Sequence, residues 1–137
     1  LHYLDIIKTS SKEPLEKRLY DLGSSVEELI SHYEPSAVCT ESVFLNMNQK
    51  SVMNVAMVIG IIGYFAARAA LPFHPYSPLQ IKQAVTGQGR ASKEQVQQML
   101  FHFFPTMRGS KVFHASDAVA VAYCHLKMAR FKSFMVK

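Results

Sequence analysis

Glu41, His114 and Asp117 are the side chains in this sequence whose types and spacing suit a divalent cation. Glu41 closes the apolar run Ala37-Val38-Cys39-Thr40. An acid just past a strand of an α/β sheet lies at its carboxyl edge, where such folds place ligands. His114 and Asp117 are three apart at the start of a segment that continues Ala-Val-Ala-Val-Ala, so on a helix both side chains share a face. A carboxylate and an imidazole at that spacing, joined by a carboxylate from a neighbouring strand, can ligate one cation. Each residue taken alone has a plainer explanation. Glu41 fits a solvated loop entry, Asp117 suits the positive end of a helix dipole, and His114 suits a cap.

A second group is basic. Lys82 precedes Thr86-Gly87-Gln88-Gly89-Arg90-Ala91-Ser92-Lys93, placing Lys82, Arg90 and Lys93 within a dozen residues around a turn rich in glycine. Glycines let a backbone approach a polyanion closely, and a helix starting after Ser92 presents free N–H groups. Three cations there would grip phosphates. Gly-x-Gly alone lacks the spacing of either nucleotide-binding fingerprint, so a surface turn with solvated lysines explains the stretch equally well in isolation.

These residues need a scaffold, and the hydrophobic pattern supplies one. Residues 2–9 read as a strand, with Ile6, Ile7 and Thr9 favouring extended backbone. Ser11 is a candidate cap for a helix with Pro14 in its first turn, and Leu15, Leu19, Leu22, Val26, Leu29 and Ile30 mark one apolar face. Glu34-Pro35 stops that helix. Ala37 to Glu41 reads as a buried parallel strand, followed by a polar connection from Asn46 to Gln49 and a long helix from about Ser51 to Leu71. Phe73 to Tyr76 is extended, Leu79 to Val85 forms a short helix, Ser92 caps a helix over Lys93 to Phe104, and the last helix runs from Ala115 to about Phe131. Strands alternating with helices predict an α/β sandwich.

The segment Val52–Ala67 is apolar nearly all round, which predicts burial on every face. It falls short of the roughly twenty residues a membrane span needs. Ala56, Gly60, Gly63 and Ala67 would let another backbone approach, in a core or in the preferred case a dimer contact.

Composition bounds the rest. A chain of 137 residues has room for one domain with a real core. With 49% hydrophobic and 18% charged residues it is globular rather than disordered, and its net charge of +5 permits a nucleic-acid partner without requiring one. Cys39 and Cys124 sit in apolar runs and outside any metal-ligand spacing, so free buried thiols in a reducing cytoplasm are expected. The chain opens on Leu1 without a signal-peptide pattern, and a segment is expected to have been removed from its front.

Three ordered segments resemble the RuvC family of Holliday-junction resolvases, in the RNase H-like superfamily. They are Thr40-Glu41-Ser42-Val43-Phe44, the run Lys82-x-x-Val85-x-Gly87-x-Gly89-x-Ala91-x-Lys93-x-Gln95-Val96, and His114-Ala115-Ser116-Asp117-Ala118-Val119-Ala120. The resemblance covers nearly the whole chain. It implies an α/β, RNase H-like mixed sheet flanked by helices, lacking the first strands of the family fold, with residues 1–137 forming a single nuclease domain. It also implies metal-binding catalytic roles for Glu41, Asp117 and His114, the last standing where many members carry aspartate. Lys82 and Lys93 would contact DNA, joined by Arg90 on the reading of the basic turn given above, and Phe44 would stack on bases at the crossover. The cofactor implied is Mg²⁺, with Mn²⁺ able to substitute. The partners implied are a four-way DNA junction, a second copy of the chain and the branch-migration helicase complex, in a bacterial, nucleoid-associated cytoplasmic setting with no membrane.

Two departures qualify the resemblance. The middle of the long helix, Met57-Val58-Ile59-Gly60, lacks the family's Gln-Ala-Arg-Gly. No Gly-Ile-Asp-Pro-Gly strand is present either, and its aspartate would be the central ligand. The activity expected of this chain is accordingly reduced. A junction-binding or dimerisation module without catalysis is the alternative.

Overall fold

The computed structural model describes residues 1–42, 49–107 and 115–135, which divide into two compact units. One holds residues 7–38 and 43–74, the other residues 1–6, 39–42 and 75–137.

The first of these is built on a pair of helices. Helix α1, Leu15–Tyr33, starts after Pro14, which occupies the N-cap position with extended backbone and offers no side-chain hydrogen bond. The cap expected of Ser11 is therefore not made. Pro14 has the fixed φ for helix entry and no N–H to satisfy, so it opens the helix by itself. At the other end Glu34 adopts the left-handed conformation with φ 43°, its N–H bonding the Ile30 carbonyl, and Pro35 prevents continuation. Helix α2 spans Gln49–Arg68.

Gly23 is the buried residue of α1, and a Cβ there would stand 2.8 Å from Phe65 Cε2 and 3.3 Å from Ile61 Cγ2, so glycine sets the closeness of the two helices. Arg68 Nη2 bonds Glu27 Oε1 at 3.0 Å and lies over the Phe65 ring. The burial expected on every face of Val52–Ala67 is not observed. Met53 and Tyr64 are each 59% exposed, Val55 and Met57 are exposed, and no described residue lies within 4 Å of a Cβ built on Gly60. No helix among the described residues is long and apolar enough to cross a membrane.

Strands β1, Val38–Glu41, and β2, Phe73–Tyr76, form a two-stranded sheet. The Val38 N–H donates to the Pro72 carbonyl at 2.9 Å and the Ser42 N–H to the Tyr76 carbonyl at 2.8 Å, so both strands advance together and the pair is parallel. Residues 2–9 are not a strand. Their β-branched residues fit a pleated surface, but a strand also needs a neighbour to bond, and none pairs with them among the described residues. Leu4 packs on the core instead.

The second unit carries helices α3, Pro78–Thr86, α4, Lys93–Phe103, and α5, Ser116–Met135, with a short 3₁₀ turn over Pro105–Met107. Ser77 and Ser92 each build a reciprocal capping box, with Gln80 and Gln95 respectively, and this fixes where α3 and α4 begin. Gly87 ends α3 at φ 78°, a conformation that glycine adopts without penalty.

Val85, Leu100, Val119 and Cys124 form the centre of the core, and Leu100 and Cys124 have no exposed surface. Burying a side chain of Leu100's size stabilises by about 1.5–3 kcal/mol. Cys124 is the buried free thiol expected, whereas Cys39 is only half-buried. Tyr76 Oη and His125 Nδ1 share a 2.8 Å hydrogen bond, and Lys127 Nζ donates to the Ala84 carbonyl at 2.9 Å, tying α5 to the end of α3.

Candidate active site

The second unit gathers one strand end and three helices around a cleft of about 330 Å³, lined by Glu41, Lys82, Lys93 and Asp117 with Pro78, Ile81, Val96 and Ala120 as apolar walls. Glu41 is the last residue of β1, at the carboxyl end of the parallel pair. Lys93 is the first residue of α4, held there by the Ser92 capping box. Asp117 is in the first turn of α5, where the helix dipole favours a negative charge. Lys82 projects from the middle of α3 and is half-buried.

Two interactions organise these charges. Lys93 Nζ donates to Asp117 Oδ2 at 2.8 Å, with both side chains more than half exposed. That bond, and the charge behind it, push the Lys93 ammonium above its ordinary value. Glu41 makes no ion pair among the described residues. Its carboxyl is raised above the usual glutamate value, first by lost hydration and then by the negative charge of Asp117, with Lys93 and Lys82 opposing. The residue as a whole is exposed, so the lost hydration arises locally, from the cleft around the carboxyl. Glu41 and Asp117 thus repel one another across a site that also holds two ammonium groups. This is an arrangement that a cation between the carboxylates would relieve.

Of the residues singled out in the sequence, the structure brings together Glu41, Asp117, Lys82 and Lys93. Arg90 is exposed and does not line the cleft. Phe44 and His114 lie outside the described residues. Sequence reasoning missed a buried polar pair below the site, in which Gln97 Nε2 donates to Ser116 Oγ at 3.3 Å. Its one available signal was spacing, since Gln97 follows Lys93 by one helical turn and Ser116 precedes Asp117.

The profile of a family described as crossover junction endodeoxyribonuclease RuvC matches residues 1–125. The chain belongs to the RuvC family. A crossover junction endodeoxyribonuclease RuvC of Syntrophomonas wolfei is 40% identical over 129 residues, 94% of this chain and 75% of that protein. Another, of Alkaliphilus metalliredigens, is 42% identical over 132 residues, 96% of this chain and 80% of that protein. The structure of Thermus thermophilus RuvC in complex with Holliday junction substrate superimposes with a TM-score of 0.86 at 30% identity, covering 93% of this chain and 78% of that one. The α/β, RNase H-like class expected from the motifs holds, and the described sheet supplies its parallel pair.

The family's chemistry implies a divalent metal, and the donor set can be tested for fit. Two carboxylates facing one cleft are hard oxygen ligands of the kind that magnesium takes, usually one or two per ion with phosphate and water oxygens completing the octahedron. Glu41 and Asp117 fit that requirement. Among the described residues no group of three His, Cys, Asp or Glu side chains is gathered to hold a metal by itself.

Proposed function

We propose that the protein nicks four-way DNA junctions by Mg²⁺-dependent hydrolysis of a phosphodiester, with Glu41 and Asp117 holding the metal. The observation that carries this reading is the shared cleft of Glu41, Asp117, Lys82 and Lys93 in a chain of the RuvC family. Bound magnesium, or manganese in its place, supplies Lewis-acid activation of water and stabilisation of the leaving oxygen. The protein's part is positional. Glu41 and Asp117 fix the metal site from β1 and α5, and Lys82 and Lys93 hold the scissile strand by its phosphates. Arg90, exposed beyond the cleft, extends the phosphate track along the turn after α3. His114 adds a further ligand, and Phe44 stacks on a base at the crossover.

The exposed apolar residues of α2, among them Met53, Met57 and Tyr64, join a second copy of the chain. A two-fold dimer suits a junction that presents two related strands for symmetric nicking. The setting is recombination and repair in the bacterial cytoplasm, with the nuclease working beside a branch-migration helicase complex. Residues 1–137 then act as one nuclease domain.

A second reading is a module that binds junctions without cutting them. The Lys93–Asp117 ion pair, which engages one of the two carboxylates lining the cleft, favours it. Incubation of a labelled four-way junction with the protein and Mg²⁺ or Mn²⁺ separates the two. Paired nicks at opposed strands support the nuclease, and a gel shift without cleavage supports the binding module.

A further inference from the structure

Lys93 and Gln97 stand one helical turn apart on α4, and they contact consecutive residues of α5. The Lys93 ammonium bonds the Asp117 carboxylate at 2.8 Å, and the Gln97 amide bonds the Ser116 hydroxyl at 3.3 Å. The two contacts differ in environment. The ion pair is solvated, with side-chain exposures of 58% and 55%. Gln97 and Ser116 are buried, at 6% and 1% exposure. A solvated pair of long side chains is a poor ruler, because each can reorient freely. A buried amide–hydroxyl bond has one geometry, since either partner left unmade loses its hydration without replacement.

Ser116 is also the first residue of α5, directly before Asp117. Its hydroxyl accepts from the Gln97 amide of the neighbouring helix. Ala115, one residue earlier, is likewise buried, so the helix start is seated in the core just where Asp117 emerges into the cleft.

We propose that Gln97 is a positioning residue for Asp117: through Ser116 it sets the register of the first turn of α5 against α4, and so the place of the Asp117 carboxylate opposite Glu41. Gln97 is buried and does not line the cleft. Its role toward the cation rests on the metal-binding reading given above, whereas its role in placing Asp117 does not.

The test uses the full chain and two variants, Gln97→Met, which keeps length and bulk while removing the donor, and Ser116→Ala, which removes the acceptor. The ¹³C carboxyl resonance of Asp117 is recorded without metal, alongside that of Lys93→Met as the reference for a broken ion pair. Binding of Mn²⁺ alone is measured by electron paramagnetic resonance. The Asp117 signal is expected to move in both variants toward its position in Lys93→Met, and Mn²⁺ affinity to fall three- to tenfold. The double variant should move the Asp117 signal by less than the sum of the two single variants, because the two residues share one bond. An Asp117 signal unmoved in both variants overturns the proposal whatever the melting temperature does, since a purely structural pair would lower stability and leave that signal in place. If Gln97→Met does not fold, Ser116→Ala decides alone. A wild-type chain that binds no Mn²⁺ contradicts the metal reading, and the carboxyl signal still decides whether Gln97 places Asp117.

Discussion

Asp117→Asn should tighten metal-free binding to a four-way junction, although it removes a carboxylate proposed to hold the metal. In the free protein Lys93 is held by Asp117 at 2.8 Å and must leave that partner to reach a phosphate. With side-chain exposures of 58% and 55% the pair lies in high dielectric, and such pairs contribute about 0.2–1 kcal/mol, or roughly 1.4- to 5-fold in affinity. The substitution also removes a negative charge facing a polyanion, which at about 6 Å in water contributes on the order of 0.7 kcal/mol, roughly a further threefold. Together they predict an affinity gain of about 4- to 15-fold. One more free cation should also steepen the salt dependence by about one counterion. Fluorescence anisotropy with a labelled junction in EDTA, across a salt series, measures both quantities. In a Lys93→Met background the part of the gain due to the ion pair should vanish, leaving about threefold. Binding by Asp117→Asn no tighter than wild type would mean that the ion pair does not compete with DNA.

Three further outcomes follow from the same geometry. Lys82→Met should weaken metal-free junction binding more than Lys93→Met, because among the described residues Lys82 makes no ion pair that must first be broken; equal losses by anisotropy would contradict this. Glu41→Gln should stabilise the metal-free protein at neutral pH. The Glu41 carboxyl is raised in the folded state by lost hydration and by Asp117, so its stabilising contribution is full below its ordinary value of 4.5 and is lost as pH rises through the folded value. The neutral amide escapes that loss, and the gain, under about 1 kcal/mol for so exposed a group, should appear at pH 7 and disappear below pH 4.5 in urea titrations. Gly23→Ala should destabilise the unit of α1 and α2 despite alanine's better helix propensity of about 1 kcal/mol. The new Cβ would stand 2.8 Å from Phe65 Cε2, and overpacking costs about 1–3 kcal/mol, leaving a net loss of up to about 2 kcal/mol in a denaturant melt.

Much of this was legible in the sequence, because the relevant signals are local. Ser92 marked the start of α4, Pro35 the end of α1, and the apolar run to Glu41 a strand with its acid at the carboxyl end. What was not legible depends on partners distant in sequence. Lys93 and Asp117 are 24 residues apart, so spacing could offer both as site residues without showing that they bond. Gln97 reads as a surface residue by type, and only tertiary packing buries it against Ser116. Residues 2–9 carry strand propensity, but propensity does not supply the neighbour that a ladder requires. The all-round apolarity of α2 predicted burial on every face, and Met53 and Tyr64 are instead largely exposed.

The proposed role of Glu41 and Asp117, which face one cleft, is decided by cleavage of a four-way junction compared with a linear duplex of the same arms, in Mg²⁺ or Mn²⁺. Metal-dependent nicks confined to the junction are expected, lost in both Glu41→Gln and Asp117→Asn while junction binding persists. A junction bound but left intact, or cut equally well by the two variants, would contradict that role.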